Sequence, residues 1–280
     1  MKGGFPVVCY TPAEPADLPR LREIFLLCFG QVAAAEMELV FSRCGDALWC
    51  AKAEGRPAAM PVTLALPQGE YKARYFYGVA THPEARRQGL CKNLLVACCR
   101  WMTGQGEAAA LLRPDSEKNR SYYRENGFAD CSTAGTGCYR QKGGAAAELT
   151  PADPVEYDRL RRKFAPWGLQ WGREGLSLQK EWMRLYGGDL WLLGDAESPW
   201  GCAAVSREGE SPLLRELLCR PADAEKALEG LCRTLQAPEL GLALPQPGPV
   251  EGLPARPMMM IRKTGEIDLP EAIYTPLAMD

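Results

Sequence analysis

The spacing of apolar residues divides the first half of the chain into alternating helices and strands. Apolar positions three and four apart predict helices at 14–30, at 33–42 and directly after Gly89. Runs rich in aromatic and β-branched residues predict strands at 7–10, 46–52, 56–66, 71–81 and 108–112, with a turn at 67–70. Because the last two strands flank the third helix, we expect a βαβ unit with parallel strands there.

The second half repeats this order of elements with low sequence similarity. Helices are predicted at 157–164, 176–186 and 222–235, and strands at 189–193, 200–206, 213–219 and 258–262. We expect strands at 128–131 and 137–141 to close the first unit, and the stretch at 142–153 is typical of a linker. The pattern therefore predicts two domains, 1–143 and 144–280, of mixed α/β (α+β) class. The C-terminal residues 274–280 are apolar enough to dock on the protein.

The connection between the strand at 71–81 and the helix after it carries the clearest chemical signal. It reads Val-Ala-Thr-His-Pro-Glu-Ala-Arg-Arg-Gln-Gly-Leu-Cys-Lys from Val79 to Lys92. The first N–H groups of a helix have no acceptor within the helix, and the helix dipole favours an anion there. Gly89 lets an anion approach the backbone, while Arg86, Arg87 and Lys92 add positive charge. We expect a phosphate or diphosphate ligand; the alternative is an ordinary strand–turn–helix corner with a solvated arginine pair.

The motif in this loop separates it from two common phosphate sites. It contains neither the Gly-x-Gly-x-x-Gly of dinucleotide sites nor the Gly-Lys-Ser/Thr of P-loops. Instead, the run Arg86-Arg87-Gln88-Gly89-Leu90-Cys91 resembles the Arg/Gln-x-x-Gly-x-Gly/Ala signature of the GNAT acyltransferase superfamily. Cys91 departs from the usual Gly or Ala. Because cysteine is small and modestly apolar, we expect slight crowding rather than loss of the site.

A second motif follows at a fitting distance. The run Asn-Arg-Ser-Tyr-Tyr-Arg-Glu-Asn-Gly-Phe from Asn119 to Phe128 is similar to the helix of the same superfamily that ends in Tyr-x-x-x-Gly-Phe. The resemblance places Tyr123 at the position of the general acid. Asn119 lies four residues earlier and therefore shares its helical face, whereas we expect Tyr122 to face elsewhere. Together the two motifs extend the resemblance over residues 5–141.

The resemblance implies a GNAT fold and direct transfer of an acetyl group from acetyl-CoA to a primary amine. The loop amides would hold the diphosphate, the pantetheine arm would pair with backbone at 79–81, and 33–42 would line the acceptor pocket. Tyr123 would protonate the departing thiolate, since free tyrosine has a pKa of about 10. A non-catalytic acyl-CoA-binding regulatory or scaffolding module is the alternative. The implied cofactor-binding residues are Val79, Ala80, Thr81, Arg86, Arg87, Gln88, Gly89, Leu90, Cys91, Lys92 and Asn119.

The matching corner of the second half lacks these features. It reads Cys-Arg-Pro-Ala-Asp-Ala-Glu-Lys-Ala-Leu over 219–228 and contains no glycine. Asp223 and Glu225 complement the helix dipole themselves and would repel a diphosphate. We therefore expect a degenerate GNAT-like copy without a CoA loop, as in tandem members similar to the N-terminal part of enhanced-intracellular-survival-type acetyltransferases. An unrelated small α+β domain is the alternative.

Composition and charge narrow the class of protein further. The chain has 280 residues, 46% of them hydrophobic, and a net charge of −2. This charge gives no long-range attraction to nucleic acid or to an anionic membrane. No apolar run of about 20 residues occurs, so we expect no membrane span, and the first ten residues contain no long apolar run, so we expect no secretory signal. We therefore expect a cytoplasmic protein with no nucleic-acid or membrane partner, acting on a small-molecule or peptide amine; homo-oligomerisation stays open.

Cysteine and histidine usage predicts no metal site. The chain has 12 cysteines without Cys-x-x-Cys pairs, and its single histidine is His82. One histidine cannot support a histidine-rich metal site, so we expect none. We expect the cysteines to be reduced and mostly buried packing residues.

Overall fold

A computed structural model describes residues 7–66, 72–166, 170–209 and 211–265 of the chain. The predicted turn at 67–70, the first residue of the strand predicted at 71–81 and the expected docking of 274–280 lie outside these ranges.

Helices and strands alternate through both halves of the chain. The first half contains β1 (Val8–Pro12), α1 (Leu18–Phe29), α2 (Ala34–Arg43), β2 (Trp49–Ala53), β3 (Arg56–Leu66), β4 (Ala73–Thr81), α3 (Leu90–Gly104), β5 (Ala109–Leu112), α4 (Glu117–Glu125), β6 (Ala129–Asp130) and β7 (Thr133–Arg140). The second half contains β8 (Leu149–Pro151), α5 (Pro154–Phe164), α6 (Gly172–Leu185), β9 (Asp189–Leu193), β10 (Gly201–Glu208), β11 (Ser211–Leu218), α7 (Ala224–Thr234), β12 (Glu239–Pro245), β13 (Ala255–Pro257) and β14 (Met260–Lys263). The mixed α/β class predicted from apolar spacing is confirmed.

The strands form two seven-stranded mixed sheets with the same arrangement. The first sheet has the order β1-β2-β3-β4-β5-β14-β6, and the second has the order β8-β9-β10-β11-β12-β7-β13. Each contains one parallel pair, β4 with β5 and β11 with β12. The second half therefore repeats the topology of the first, as the order of its elements predicted.

The sixth strand of each sheet comes from the other half of the chain. In the first sheet, β14 runs antiparallel to β5, with Met260 opposite Leu112. In the second sheet, β7 runs antiparallel to β12, with Gly137 opposite Leu242. The prediction that 137–141 closes the first sheet is therefore wrong, because the pairing partner of a strand is set by contacts distant in sequence. The division into 1–143 and 144–280 stays a proposal, and each of these ranges lacks one strand of its sheet.

Three apolar clusters hold these layers together. The largest lies between the two sheets and includes α1, α2, α5 and α6. There, Tyr75 on β4 meets Trp171 edge to face, with 5.6 Å between ring centroids. The second cluster lies under α3 on the outer face of the first sheet, and the third lies under α7 on the outer face of the second. The shared inner cluster holds the two halves against each other.

Candidate active site

A cleft opens in the first sheet because the pairing of β4 with β5 ends partway along β4. The two strands pair only at 73–75 and 109–111, and the rest of β4 pairs with β3 alone. A cavity of about 1070 Å³ lies in this gap. The opening is at the carboxyl ends of the two parallel strands, where ligands of open α/β sheets bind.

A β-bulge shapes the wall of this cavity. Ala80 lies opposite Met60 and Tyr77 opposite Val62, so that Gly78 and residue 79 together face residue 61 alone. Gly78 has a φ of +58°, and a Cβ there would lie 2.9 Å from the ring of Phe25. Both the backbone conformation and the close approach therefore require glycine. Bulges leave ladder groups unpaired and are common beside active sites.

The loop between β4 and α3 presents a helix N-terminus to the same cavity. Arg87 and Gly89 have φ values of +62° and +74°. Gly89 directly precedes α3, and no side chain caps this helix. A Cβ at Gly89 would meet only Asn93 Nδ2 within 4 Å, at a distance of 3.8 Å. The N–H groups of the first turn are therefore open to an anion in the cavity, and this fits the diphosphate site expected from the sequence.

Basic side chains line the same cavity as this helix N-terminus. Arg86, Arg87, Lys92 and Lys118 line the cavity, and Asp115 is the acidic residue among the described residues that do so. This local positive charge contrasts with the net charge of −2 on the whole chain. The cavity is therefore suited to a polyanionic ligand such as a nucleotide diphosphate.

The predicted cofactor-binding residues line this cavity, with the exception of Gln88. The Gln88 side-chain amide instead donates to the Glu84 carbonyl at 3.3 Å. Arg86 Nε donates to the Thr81 carbonyl at 3.2 Å and so braces the loop against the end of β4. Asn119 Nδ2 donates to an Asp115 carboxylate oxygen at 2.7 Å, which holds it in the cavity wall.

Two adjacent tyrosines of α4 line the cavity. Tyr123 packs against Tyr122 and Phe128, with ring centroids 5.4 and 5.8 Å away. Burial raises the pKa of Tyr123 far above its usual value, so its hydroxyl keeps its proton at neutral pH. The expectation that Tyr122 faces elsewhere is wrong. Neighbours on a helix differ in direction by about 100°, and this cavity is wide enough to take both side chains.

Cys91 contributes a thiol to the cavity wall beside Tyr122. Burial raises the pKa of this thiol, and hydrogen bonds with Tyr122 and Thr81 oppose the shift. Desolvation likewise raises the pKa of the Tyr122 hydroxyl, with Cys91 adding to the shift. Both groups are therefore neutral at physiological pH, and Cys91 acts as a small wall residue rather than as an activated nucleophile.

The matching corner of the second half has no such cradle. Arg220 Nε donates to Asp223 Oδ2 at 2.7 Å, and Lys142 Nζ lies 2.8 Å from Glu225. No residue from 219 to 228, all of which the structure describes, has a positive φ. The fully described segment between β12 and β13 also contains no helix, so the second half lacks a counterpart of α4 and its tyrosines.

Two further observations, on membrane-spanning helices and on metal sites, apply to residues 7–66, 72–166, 170–209 and 211–265. None of their helices combines the length and the apolar character needed to span a membrane. No group of three or more His, Cys, Asp or Glu residues within them is arranged to hold a metal ion.

Comparison with known proteins shows which proteins this chain resembles. Residues 18–128 match the sequence model of the acetyltransferase (GNAT) family. The fold is similar to a GCN5-related N-acetyltransferase from Anabaena variabilis, with a TM-score of 0.71 and 15% identity over 92% of this chain and 73% of that one. It is also similar to Eis1 from Mycobacterium abscessus, with a TM-score of 0.64 and 15% identity over 92% and 74% of the two chains. A tandem GNAT protein from the clavulanic acid biosynthesis pathway gives a TM-score of 0.55 and 12% identity over 94% of this chain and 100% of that one. At these identities the structural likeness shows the fold, and no curated protein matches the sequence.

Proposed function

We propose that this protein is an acetyl-CoA-dependent N-acetyltransferase, because residues 18–128 belong to the GNAT acetyltransferase family and the two sheets have the fold of tandem GNAT proteins. It moves an acetyl group directly to a primary amine of a small molecule or peptide. One observation carries this proposal: the uncapped helix N-terminus behind Gly89 and the protonated Tyr123 line the same cavity. The first suits a diphosphate, and the second suits a departing thiolate.

The free side of β4 supports binding of the extended pantetheine arm. Beyond residue 75, β4 has no pairing with β5, so the backbone groups on that side are placed to pair with the amides of an added chain. The diphosphate then lies at the N-terminus of α3, and Lys92 and Lys118 add charge for the phosphates of CoA. The Thr81 carbonyl already accepts from Arg86, so Val79 and Ala80 are the stronger candidates for this pairing.

The chemistry needs a polarised thioester, a proton for the leaving thiolate and an unprotonated amine. A backbone N–H at Val79 or Ala80, beside the bulge, would stabilise the developing oxyanion. Tyr123 would donate its proton to the thiolate as the C–S bond breaks, and its raised pKa keeps that proton in place until then. No covalent enzyme intermediate is required, because holding both reactants together removes much of the entropic barrier.

We also propose that the protein works in the cytoplasm, with neither nucleic acid nor membrane as partner. The 12 cysteines are all free thiols, which is typical of a reducing compartment. The net charge of −2 gives no general attraction to nucleic acid or to anionic lipid.

Calorimetry with acetyl-CoA, followed by mass spectrometry of acetylated products, tests the proposal. The amines are polyamines, aminoglycosides, amino acids, amino acid amides and lysine peptides. We expect acetyl-CoA to bind and at least one amine class to gain an acetyl group. Binding without transfer to any amine would favour the alternative, a non-catalytic acyl-CoA-binding regulatory or scaffolding module. Absence of binding would exclude both functions.

A further inference from the structure

The helix α4, which carries Tyr123, is bonded to the exchanged strand β14 and to the chain that leads into it. The bonded residues lie 136 to 138 positions apart in the sequence. The described residues that line the cleft all lie between 28 and 123. The second half of the chain therefore reaches the proposed acid through α4 rather than through the cleft wall.

Arg120 attaches the first half of α4 to this part of the chain. It lies one helical turn before Tyr123 and is only 7% exposed. Its Nη2 donates to the carbonyls of Pro257 and Met258 at 3.0 and 3.3 Å, and its Nη1 donates to an Asp130 carboxylate oxygen. Because the guanidinium is planar and its donors have fixed directions, these acceptors hold the helix against rotation about its own axis.

Arg262 holds the C-terminal end of α4. Within β14, Met260 belongs to the apolar cluster under α3, and Arg262 is on the same face of the strand. Arg262 Nη1 donates at 3.1 Å to the carbonyl of Asn126, the residue that directly follows α4. A Cβ at Gly127 would lie 3.6 Å from Arg262 Nε. The guanidinium therefore packs on the turn that ends the helix, where a cation also complements the helix dipole.

Tyr123 lies between these two attachments. Its carbonyl accepts from the N–H groups of Asn126 and Phe128 at 3.0 and 3.1 Å, so the turn that Arg262 holds is bonded to Tyr123 itself. The rings of Tyr123 and Phe128 meet edge to face, with 5.8 Å between their centroids. A shift of α4 therefore displaces the Tyr123 hydroxyl, and misplacement of a reacting group by about 1 Å costs about 100-fold in rate.

We propose that Arg120 and Arg262 are positioning residues for Tyr123, which hold its hydroxyl where the CoA thiolate departs. The inference rests on the proposed acetyl transfer. As the amine attacks, the N–C bond forms, the C–S bond breaks and the Tyr123 proton passes to the thiolate. The amine nitrogen releases a proton to solvent, and Tyr123 regains one from solvent. Both arginines act on this step through the backbone of α4, so the second half of the chain contributes to the chemistry of the first.

The thiol of bound CoA reports the position of the Tyr123 hydroxyl without any amine. A donor placed beside a thiolate stabilises it and lowers the pKa of the thiol. Ultraviolet absorbance of the thiolate, taken as the difference between full-length protein with and without CoA across a pH series, measures that pKa. We expect Tyr123→Phe to raise the pKa of the bound thiol by about 1, the effect of one hydrogen bond to a charged group. Arg262→Gln should raise it by a similar amount, because the displaced hydroxyl no longer meets the sulfur.

A double-mutant cycle separates positioning from general damage to the fold. Added to Tyr123→Phe, Arg262→Gln should change the pKa of the bound thiol by less than about 0.3, because no hydroxyl remains to be positioned. Arg262→Lys, which keeps a charged donor, should restore most of the wild-type value. Lys263→Gln, at the exposed position next to Arg262, should match wild type. An equal rise in both backgrounds, or no rise in the wild-type background, would overturn the role of Arg262.

Arg120→Gln tests the other attachment in the same way. It should raise the pKa of the bound thiol in the wild-type background and leave it unchanged in Tyr123→Phe. Arg124→Gln is the matched control, because Arg124 is exposed on the same helix and also donates to Asp130, at 3.1 Å. This control should follow wild type. A rise with Arg124→Gln equal to that with Arg120→Gln would assign the effect to Asp130 and overturn the role of Arg120.

Binding of CoA, measured by calorimetry, separates failure of this inference from failure of the proposed function. If wild type binds no CoA, the proposed function is wrong and the inference falls with it. If CoA binds but Tyr123→Phe leaves the thiol pKa unchanged, Tyr123 is not the acid, and the inference falls while CoA binding stands. If Tyr123→Phe raises that pKa and neither arginine variant does, the inference alone is wrong. Should one arginine variant lose CoA binding, the other decides; loss in both would assign the arginines a structural role and overturn the inference.

Discussion

The Tyr122 hydroxyl on α4 and the Cys91 thiol on α3 lie close enough for each to shift the pKa of the other. Cys91 lies in the first turn of α3, beside the anion loop, and Tyr122 precedes Tyr123 on α4. This contact joins the helix that we propose binds the diphosphate to the helix that carries the proposed acid. A cysteine where the superfamily usually has Gly or Ala thus gains a specific neighbour.

The proximity of Tyr122 to Cys91 distinguishes the expected roles of the two tyrosines. We expect Tyr123→Phe to lower kcat about 100-fold or more, the usual loss on removing a general acid. Tyr122→Phe should lower kcat by less than about tenfold, because the Tyr122 hydroxyl is engaged with Cys91. Steady-state kinetics, with the acetyl-CoA Kd from calorimetry as a control for folding, measure both effects. The reverse order of losses would assign the acid to Tyr122.

Gly89→Glu should weaken acetyl-CoA binding by about 100-fold or more, because it places a negative charge at the helix N-terminus that we propose binds the diphosphate. The left-handed backbone also disfavours any L side chain there. Gly106→Glu is the matched control, since Gly106 has a φ of +69° in open space at the other end of α3. Calorimetric titration should show a normal Kd for the control. Unchanged affinity in Gly89→Glu would place the diphosphate elsewhere.

We expect one acetyl-CoA per chain. Asp223 directly precedes α7, Glu225 lies in its first turn, and no residue from 219 to 228 is left-handed, so this corner does not offer an anion cradle. The double variant Asp223→Asn with Glu225→Gln should leave the stoichiometry at one, because removing the charges does not create the loop. Gly89→Glu should abolish all measurable binding. A titration that reaches two per chain would contradict the degenerate copy.

The exchanged strands predict that the halves depend on each other. Fragment 1–143 lacks β14, and fragment 144–280 lacks β7, so each leaves a gap in its sheet and exposes the inner core. Expressed alone, each should be insoluble or unfolded by circular dichroism. Expressed together, they should assemble and bind acetyl-CoA. A fragment 1–143 that folds as a monomer and binds acetyl-CoA would show that the exchange is dispensable.

Glu229 should make stability fall as the pH is lowered. Its carboxylate accepts from the Tyr139 hydroxyl at 2.6 Å and from the N–H groups of Lys142 and Gly143 at 2.6 and 3.1 Å. These bonds, the Tyr139 bond most of all, lower the pKa of Glu229 in the folded state. The unfolded pKa is about 4.3. The stabilisation is therefore complete above that pH and is lost as pH falls through the folded pKa.

Urea denaturation at a series of pH values measures this contribution. Below about pH 4.3, the midpoint for wild type should fall more steeply than that for Glu229→Gln. Glu251→Gln, which alters an exposed carboxylate, should follow wild type. Parallel slopes for wild type and Glu229→Gln would show that the carboxylate contributes nothing to acid sensitivity.

Local signals in the chain were sufficient for the order of helices and strands and for the glycine turn that precedes α3. Apolar spacing depends on neighbours a few residues apart, and the conformation around Gly89 is a property of one short turn. Because these signals are local, they could not predict which strands pair across the chain. The pairing of β7 with β12 joins residues about a hundred positions apart, and no periodicity within either strand specifies that partner.

The sequence by itself determined the mixed α/β class, the glycine-led helix N-terminus and the tyrosine helix, because short-range backbone preferences encode each of them. Only the tertiary structure decided that two strands are exchanged, that Tyr122 reaches the cleft and that Glu36 meets Tyr186 across 150 residues of chain. Such contacts arise when two sheets pack on a shared core. They depend on how surfaces fit together, which no short stretch of residues specifies.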